Sequence, residues 1–264
     1  MSKNKLFTDS NTFGRTPTRA FFASLFCIGL TACAAPSGMP AAPDAAISAL
    51  YQQAIASPVR TDDDRQSDAS RKPLEFLKFA GVVPGMQVLD VSAGGGTTTR
   101  LLALVVGDGG KVYAQGATPR AAIEKRLATH PQAAIVPTVR PFDDPVPPGI
   151  APLDLITINM SYHDIANLPI DRQLLDRRLF QALKPGGRLI VIDHAARAGS
   201  GTADIKTLHR IDEAVVREDF RLAGFTLEGA SDFLRNGADA RDKTSAEMER
   251  MSDKFALRFI KPRP

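Results

Sequence analysis

Residues 88–103 read VLDVSAGGGTTTRLLA, a strand-like run with one acid that gives way to three glycines and then to a helix-forming stretch. Val88, Leu89 and Val91 suit a buried strand, and Asp90 is the acid near its end. Gly94, Gly95 and Gly96 let the backbone take positive φ without a Cβ clash and pass close beneath a ligand. The free N–H groups that open a helix at Thr97 would then face whatever is bound. Such a turn suits a nucleotide-like ligand. The dinucleotide pattern G-x-G-x-x-G needs its last glycine where Thr99 stands, and no glycine is there.

Outward from this stretch, strand and helix signals alternate. Apolar runs suited to buried strands lie at 86–91, 111–115, 133–139, 153–159 and 188–193, with the helical patterns TTRLLALVV, TPRAAIEKRLATH and DRQLLDRRLFQAL between them. This predicts an α/β fold, a doubly wound, mostly parallel seven-stranded sheet covered on both faces. FTLEGASDF (225–233) and KFALRFI (254–260) have no crossover helix pattern between them and read as a closing antiparallel pair. Upstream, 44–56 reads as a helix with Asp44 as its N-cap, and PLEFLKFAGV as a second helix closed by Gly81. Between them RTDDDRQSDASRK is a charge-mixed stretch, read either as a solvated face or as a segment lying across a pocket, with Arg71 or Arg65 meeting a carboxylate. Ligands of an open sheet bind beyond the carboxyl ends of its strands, so the residues just after each strand are the ones to examine.

In register, Val88-Leu89-Asp90-Val91-Ser92-Ala93-Gly94-Gly95-Gly96 resembles the hydrophobic-Leu-(Asp/Glu)-x-Gly-x-Gly-x-Gly motif of class I S-adenosylmethionine-dependent methyltransferases, with Ser92 in place of the first glycine. FAGVVPGMQVLD before it and LFQALKPGGRLIVIDH (179–194) after it extend the resemblance, as do VVREDFRLAGFTLEG and SDKFALRFIKP. It covers roughly residues 70–262, and more narrowly the chain resembles exported predicted methyltransferases of Gram-negative bacteria.

The resemblance implies S-adenosylmethionine as cofactor and a set of roles. Asp90 would contact its methionine end, and the backbone of Ser92 to Gly96 would line that end. Gln115 stands where an acid usually holds both ribose hydroxyls. Asp143 or Asp144 stands where an acid often accepts from the adenine amino group. After the fourth strand, NMSYHD (159–164) gathers Asn159, Tyr162, His163 and Asp164. Asn159-x-x-Tyr162 resembles the Asn-Pro-Pro-Tyr signature of amine methyltransferases, with both prolines absent. His163, ordinarily near pKa 6.5, is the candidate general base, with Tyr162 and Asp164 beside it; packing and helix capping are the alternative roles. His163, Asp164, Asp193 and His194 could also approach one another as a mixed nitrogen and oxygen set, but their spacing matches no metal signature and no metal is assigned. His130 and His209 read as surface or interhelix residues.

The N-terminus has the layout of a secretory signal: Lys3, Lys5, Arg15 and Arg19, then an apolar run from Ala20 to Ala32, then Cys33. Thirteen residues are too few for a membrane span, which needs ~20. The segment LTAC resembles a bacterial lipobox, which implies a lipid anchor on Cys33; Ala34 points to the outer membrane, facing the periplasm. Three parts follow: a signal segment 1–33, an Ala/Pro tether 34–44 and one domain from 45 to 264. Removing the leader takes the charge from 33 Lys plus Arg against 29 Asp plus Glu to 29 against 28, without the basic face a nucleic-acid partner needs. Cys27 falls in the leader and Cys33 carries the lipid, so no thiol chemistry remains. Because S-adenosylmethionine is made in the cytosol, three functions stay open. The leading one is methyl transfer to a small molecule or envelope component. The second is a non-catalytic small-ligand-binding module on the same fold, and the third, resting on the histidine and aspartate cluster, a metal-assisted hydrolase or lyase.

Overall fold

The computed structural model describes residues 42–248 and 251–264; the signal segment, Cys33 and most of the tether lie outside the described residues. Four helices precede the sheet: α1 (Ala42–Ala56), α2 (Asp62–Gln66), α3 (Asp68–Arg71) and α4 (Pro73–Ala80). Alternation then runs β1 (Gln87–Val91), α5 (Thr97–Val106), β2 (Lys111–Gly116), α6 (Ala121–Thr129) and β3 (Ile135–Val139). Next come β4 (Leu153–Asn159), α7 (Tyr162–Ala166), α8 (Arg172–Ala182) and β5 (Leu183–His194). The chain closes with α9 (Ile205–Leu208), α10 (Glu213–Leu222), β6 (Thr226–Ser231) and β7 (Lys254–Ile260). Among the described residues, no helix is long and apolar enough to cross a membrane.

The seven strands lie in the order β3-β2-β1-β4-β5-β7-β6, parallel from β3 through β5, with β7 antiparallel to both β5 and β6. The expected fold class is therefore observed. Strand order reverses between β1 and β4, which opens a crevice at their carboxyl ends. Register brings Asp90 beside Ala114 of β2 and Thr157 of β4, and Asn159 beside Ile192 of β5.

Because strand side chains alternate between faces, each strand feeds two layers. Val88, Ile190 and Ile192 pack with Tyr51, Leu77 and Leu102 under α1, α4 and α5. Leu89, Val91, Leu189 and Val191 pack with Tyr162, Leu175 and Phe220 under α7, α8 and α10. Leu89, Leu102 and Phe220 are wholly buried, each worth about 1.5–3 kcal/mol over exposure. The same alternation sends Asp90, Thr157, Asn159 and His194 to the first face and Asp193 to the second.

Several local expectations need correction. α1 begins at Ala42, so Asp44 lies inside its first turn and is not its N-cap. The stretch 60–72 is not merely solvated: α2 starts at a capping box between Thr61 and Asp64, and Asp64 is buried. Asp64 accepts from Thr97 Oγ1 at 2.8 Å and from Arg126 Nη1 at 2.8 and 2.9 Å, which ties α2 to α5 and α6. Burial opposes ionisation of Asp64, but those bonds, the Thr61 N–H and the Arg126 charge hold its pKa at about 2. The KPGG turn is absorbed into β5 as an irregularity, where pairing jumps from Leu153–Leu183 to Leu155–Arg188.

Candidate active site

A cavity of about 790 Å³ opens where the carboxyl ends of β1, β4 and β5 meet, roofed by α2 and α3. Its floor is the glycine turn. Asp90 lines it while only 1 % exposed, with Oδ2 accepting from Thr99 Oγ1 at 2.6 Å and Oδ1 from Thr157 Oγ1 at 2.8 Å. A carboxylate has about four acceptor sites, so both oxygens retain capacity for a further donor. Burial lifts the Asp90 pKa to about 6, against the two hydroxyl bonds and the Arg71 charge, which favour the anion.

Ser92 stands at φ 55°, the left-handed region that favours glycine, so it reproduces the turn of the motif glycine it replaces. Its N–H is taken by Gln115 Oε1 at 3.0 Å, and Gln115 Nε2 donates to Arg140 O at 2.7 Å. Ser92, Gly94 and Gly95 line the cavity; a Cβ added at Gly95 would meet nothing within 4 Å. Gly96 lies just behind, where a Cβ would come within 3.0 Å of Ile123 Cγ1, and it leads into α5. Thr97 and Thr98 continue the wall, with first-turn N–H groups that no helical carbonyl can reach.

Two expectations fail on this side. Gln115 is wholly buried and off the cavity, with both ends of its amide bonded to backbone, so it is a tie between β1, β2 and the residue after β3 and does not hold a ribose. Asp143 does not line the cavity either, and its neighbour Asp144 pairs with Arg140.

At the end of β4, Asn159 and Ser161 line the cavity, and neither Asn159 Nδ2 nor Ser161 Oγ finds a hydrogen-bond partner among the described residues although both atoms are buried. Buried polar atoms are normally satisfied, so this pair calls for a ligand with acceptors. Met160 between them sits at φ 53°, a second left-handed non-glycine on the cavity wall, of the kind that gathers at binding sites.

The catalytic assignments of Tyr162 and His163 are overturned. Tyr162 is wholly buried in the second core layer, its hydroxyl 3.0 Å from both Asp176 Oδ2 and Asp219 Oδ2. His163 is 3 % exposed and off the cavity, with Nδ1 2.7 Å from Asp193 Oδ1 and Nε2 3.2 Å from Asp164 Oδ1. Burial disfavours its cation, but hydrogen bonds to Asp164 and Asp193 and their charges outweigh that and raise its pKa to about 10. A cation at neutral pH is no general base. Asp164 does line the cavity, largely exposed.

The imidazole that faces the cavity is His194, with Nδ1 2.8 Å from Ser252 Oγ. Burial lowers its pKa to about 4 against the pull of Asp193, and the charges of Lys254, His163 and Arg210 lower it further, so it is neutral. Lys254, at the start of β7, also lines the cavity with a pKa lowered to about 8, chiefly by burial. From the roof comes Arg71, whereas Arg65 is turned to Asp62 at the surface. His194 and Lys254 were not singled out for the pocket from sequence. The parity of β5, with Ile190 and Ile192 on the cavity face, is the signal that finds His194.

No family model matches the chain. A fibrillarin-like rRNA/tRNA 2'-O-methyltransferase from Methanothrix thermoacetophila is 28% identical over 155 residues, 56% of this chain and 71% of that protein. Among solved structures, a SAM-dependent methyltransferase from Aquifex aeolicus is similar with a TM-score of 0.56 at 19% identity, over 74% of this chain and 93% of that one. The 1,6-didemethyltoxoflavin-N1-methyltransferase of Burkholderia thailandensis, solved with bound 1,6-didemethyltoxoflavin and S-adenosylhomocysteine, is similar with a TM-score of 0.53 at 17% identity, over 87% and 93% of the two chains. With the β3-β2-β1-β4-β5-β7-β6 sheet, the chain thus has the fold of the class I S-adenosylmethionine-dependent methyltransferases.

Proposed function

We propose that the chain transfers a methyl group from S-adenosylmethionine to a small molecule or envelope component. The observation that carries this reading is one cavity in which the buried Asp90 carboxylate adjoins an open glycine turn and shares the wall with Asn159 and Ser161, whose Nδ2 and Oγ have no hydrogen-bond partner among the described residues. When bound, the cofactor supplies an electrophilic methyl group on a sulfonium centre. Asp90 would accept from its ammonium group, the Gly94–Thr98 backbone would border its amino-acid portion, and Arg71 would face its carboxylate. Asn159 and Ser161 would donate to acceptor atoms of cofactor or substrate. His194, neutral and on the cavity wall, would take the proton that the methyl acceptor gives up, with α2 and α3 excluding water above it. Asp164 at the rim would orient the acceptor.

The cavity offers partners for the amino-acid end, but Gln115, expected at the ribose, is engaged by backbone, and Asp143, expected at the adenine, lies off the cavity. That misfit favours a second reading, a non-catalytic module binding a smaller ligand in the same cavity. The near-balanced charge beyond the leader supports a small or uncharged acceptor over a nucleic acid. We also propose export and anchoring through a lipid on Cys33, on the strength of the lipobox-like LTAC and its apolar run.

The test incubates the full chain with methyl-tritiated S-adenosylmethionine and solubilised Gram-negative envelope or its small-molecule extract. Methyl transfer predicts label in an acceptor fraction that is lost with Asp90→Ala. Absence of both label and S-adenosylhomocysteine binding overturns methyl transfer and leaves the module for a smaller ligand; label in an acceptor fraction overturns the module.

A further inference from the structure

We propose that His163, His209 and Asp164 form a site for one divalent cation of the zinc class at the rim of the cavity. The three come from one short helix and the residue that caps another: His163 and Asp164 from α7, and His209 from the C-cap of α9. Asp164 Oδ1 lies 3.2 Å from His163 Nε2 and 3.3 Å from His209 Nδ1, and one donor atom from each residue falls within 4.8 Å of the other two. Donors bound at about 2.0–2.2 Å around a tetrahedral cation stand roughly 3.3 Å apart, so two of the three separations are already those of a bound set. Only the two rings need to close on each other.

Three further features make this a built site. The far nitrogen of His163, Nδ1, meets the wholly buried Asp193 carboxylate at 2.7 Å, the carboxylate–histidine arrangement that orients a metal-binding imidazole and fixes its tautomer. Asp193 also takes the backbone N–H groups of His163 and His194 at 2.8 Å each, so that second layer is rigid. His209 is held at φ 50°, in the left-handed region, by the cap of α9, and that costly conformation delivers its ring to Asp164. His163 is buried, while the side chains of Asp164 and His209 are 60 % and 55 % exposed, which leaves a route in for the ion.

Two imidazoles and one carboxylate suit zinc and its first-row neighbours over magnesium or calcium, which prefer all-oxygen sets. Three protein ligands leave at least one coordination position open, as in sites that bind a water or substrate oxygen. Since Asp164 itself lines the cavity, that position adjoins the space where an acceptor would enter. The proposal does not depend on methyl transfer.

The test strips the full chain with chelator and titrates it with zinc chloride by calorimetry and with cobalt(II) by visible absorption, with S-adenosylhomocysteine binding measured on the same samples. One ion per chain at micromolar concentration is expected, with affinity lowered at least about tenfold by His209→Ala and by Asp164→Asn, and unchanged by His130→Ala on the exposed end of α6. Circular dichroism checks that the variants fold. Failure to bind zinc stoichiometrically, or equal affinity in wild type and His209→Ala, overturns the site. Zinc binding without S-adenosylhomocysteine binding upholds the metal site and sinks the methyl-transfer reading; the reverse pattern does the opposite.

Discussion

The His163 ring and the Asp193 carboxylate meet at 2.7 Å, and the same carboxylate holds the His163 backbone N–H at 2.8 Å. This double contact locks the first turn of α7 onto the end of β5, and with Asp164 it keeps the ring charged to a pKa of about 10 despite burial. The cavity is left to His194.

A histidine raised in the folded state contributes stability that is full below its ordinary pKa near 6.5 and is lost as pH rises through about 10. His163→Gln in chelator should therefore destabilise the chain by about 2–4 kcal/mol at pH 6, a gap that narrows steadily toward pH 10. Urea unfolding across that range reads the gap; a constant difference contradicts the charged ring.

Asp90 has the opposite character, a carboxyl group placed for binding at a cost to stability. Raised to about 6 by burial, it favours the folded state below pH 3.8 and loses that contribution as pH rises through 6. Asp90→Asn should be as stable as wild type at pH 7.5 or more stable by about 1–3 kcal/mol, yet bind S-adenosylhomocysteine at least about tenfold more weakly. Wild-type affinity should itself fall as pH drops from 7 to 5. Thermal melts and titrations at three pH values check both halves.

Asp176 carries a second buried-acid cost, away from the cavity. Its pKa is pushed well up by burial and by the Asp219 charge, Tyr162 has one hydroxyl proton for two carboxylates, and Asp176 Oδ1 has no partner among the described residues. Asp176→Asn should raise Tm by a few degrees at pH 8 and lose that advantage at pH 3.5, where the native carboxyl is neutral and the unfolded one mostly so. Equal melting temperatures at pH 8 would remove the argument.

Ser92 bears left-handed backbone strain of about 1–2 kcal/mol, part of which glycine relieves and part of which its extra unfolded-state freedom offsets. Ser92→Gly should thus stabilise the chain by about 0.5 kcal/mol and leave ligand affinity unchanged, since the backbone N–H still reaches Gln115. Ser92→Val, branched at Cβ, should lower Tm. Melting curves for the pair give the sign.

Much of the fold was legible because the sheet is built from local signals. Residues 153–159 and 254–260 form strands over those bounds, and α8 begins after the Asp171 cap that opens its pattern. Of the site residues singled out from sequence, Asp90, Ser92, Gly94, Gly95, Asn159 and Asp164 line the cavity, most of them where backbone position decides. Legibility failed where side-chain direction decides. Gln115 ends the right strand but turns its amide to backbone, and Tyr162 and His163 follow the right strand but turn into the second layer on a helix of five residues, too short to announce itself by period. On strands apolar on both faces, parity is hidden, and so Asp193 and His194 looked like one cluster. The meeting of His209 with Asp164 spans 45 residues and has no local trace at all.

The most direct measurement is a calorimetric titration of S-adenosylhomocysteine into the full chain at pH 7.5. A single site of micromolar affinity, lost with Asp90→Ala, is the expected outcome; the absence of any binding heat up to millimolar ligand contradicts the assignment of the cavity to a sulfonium nucleoside.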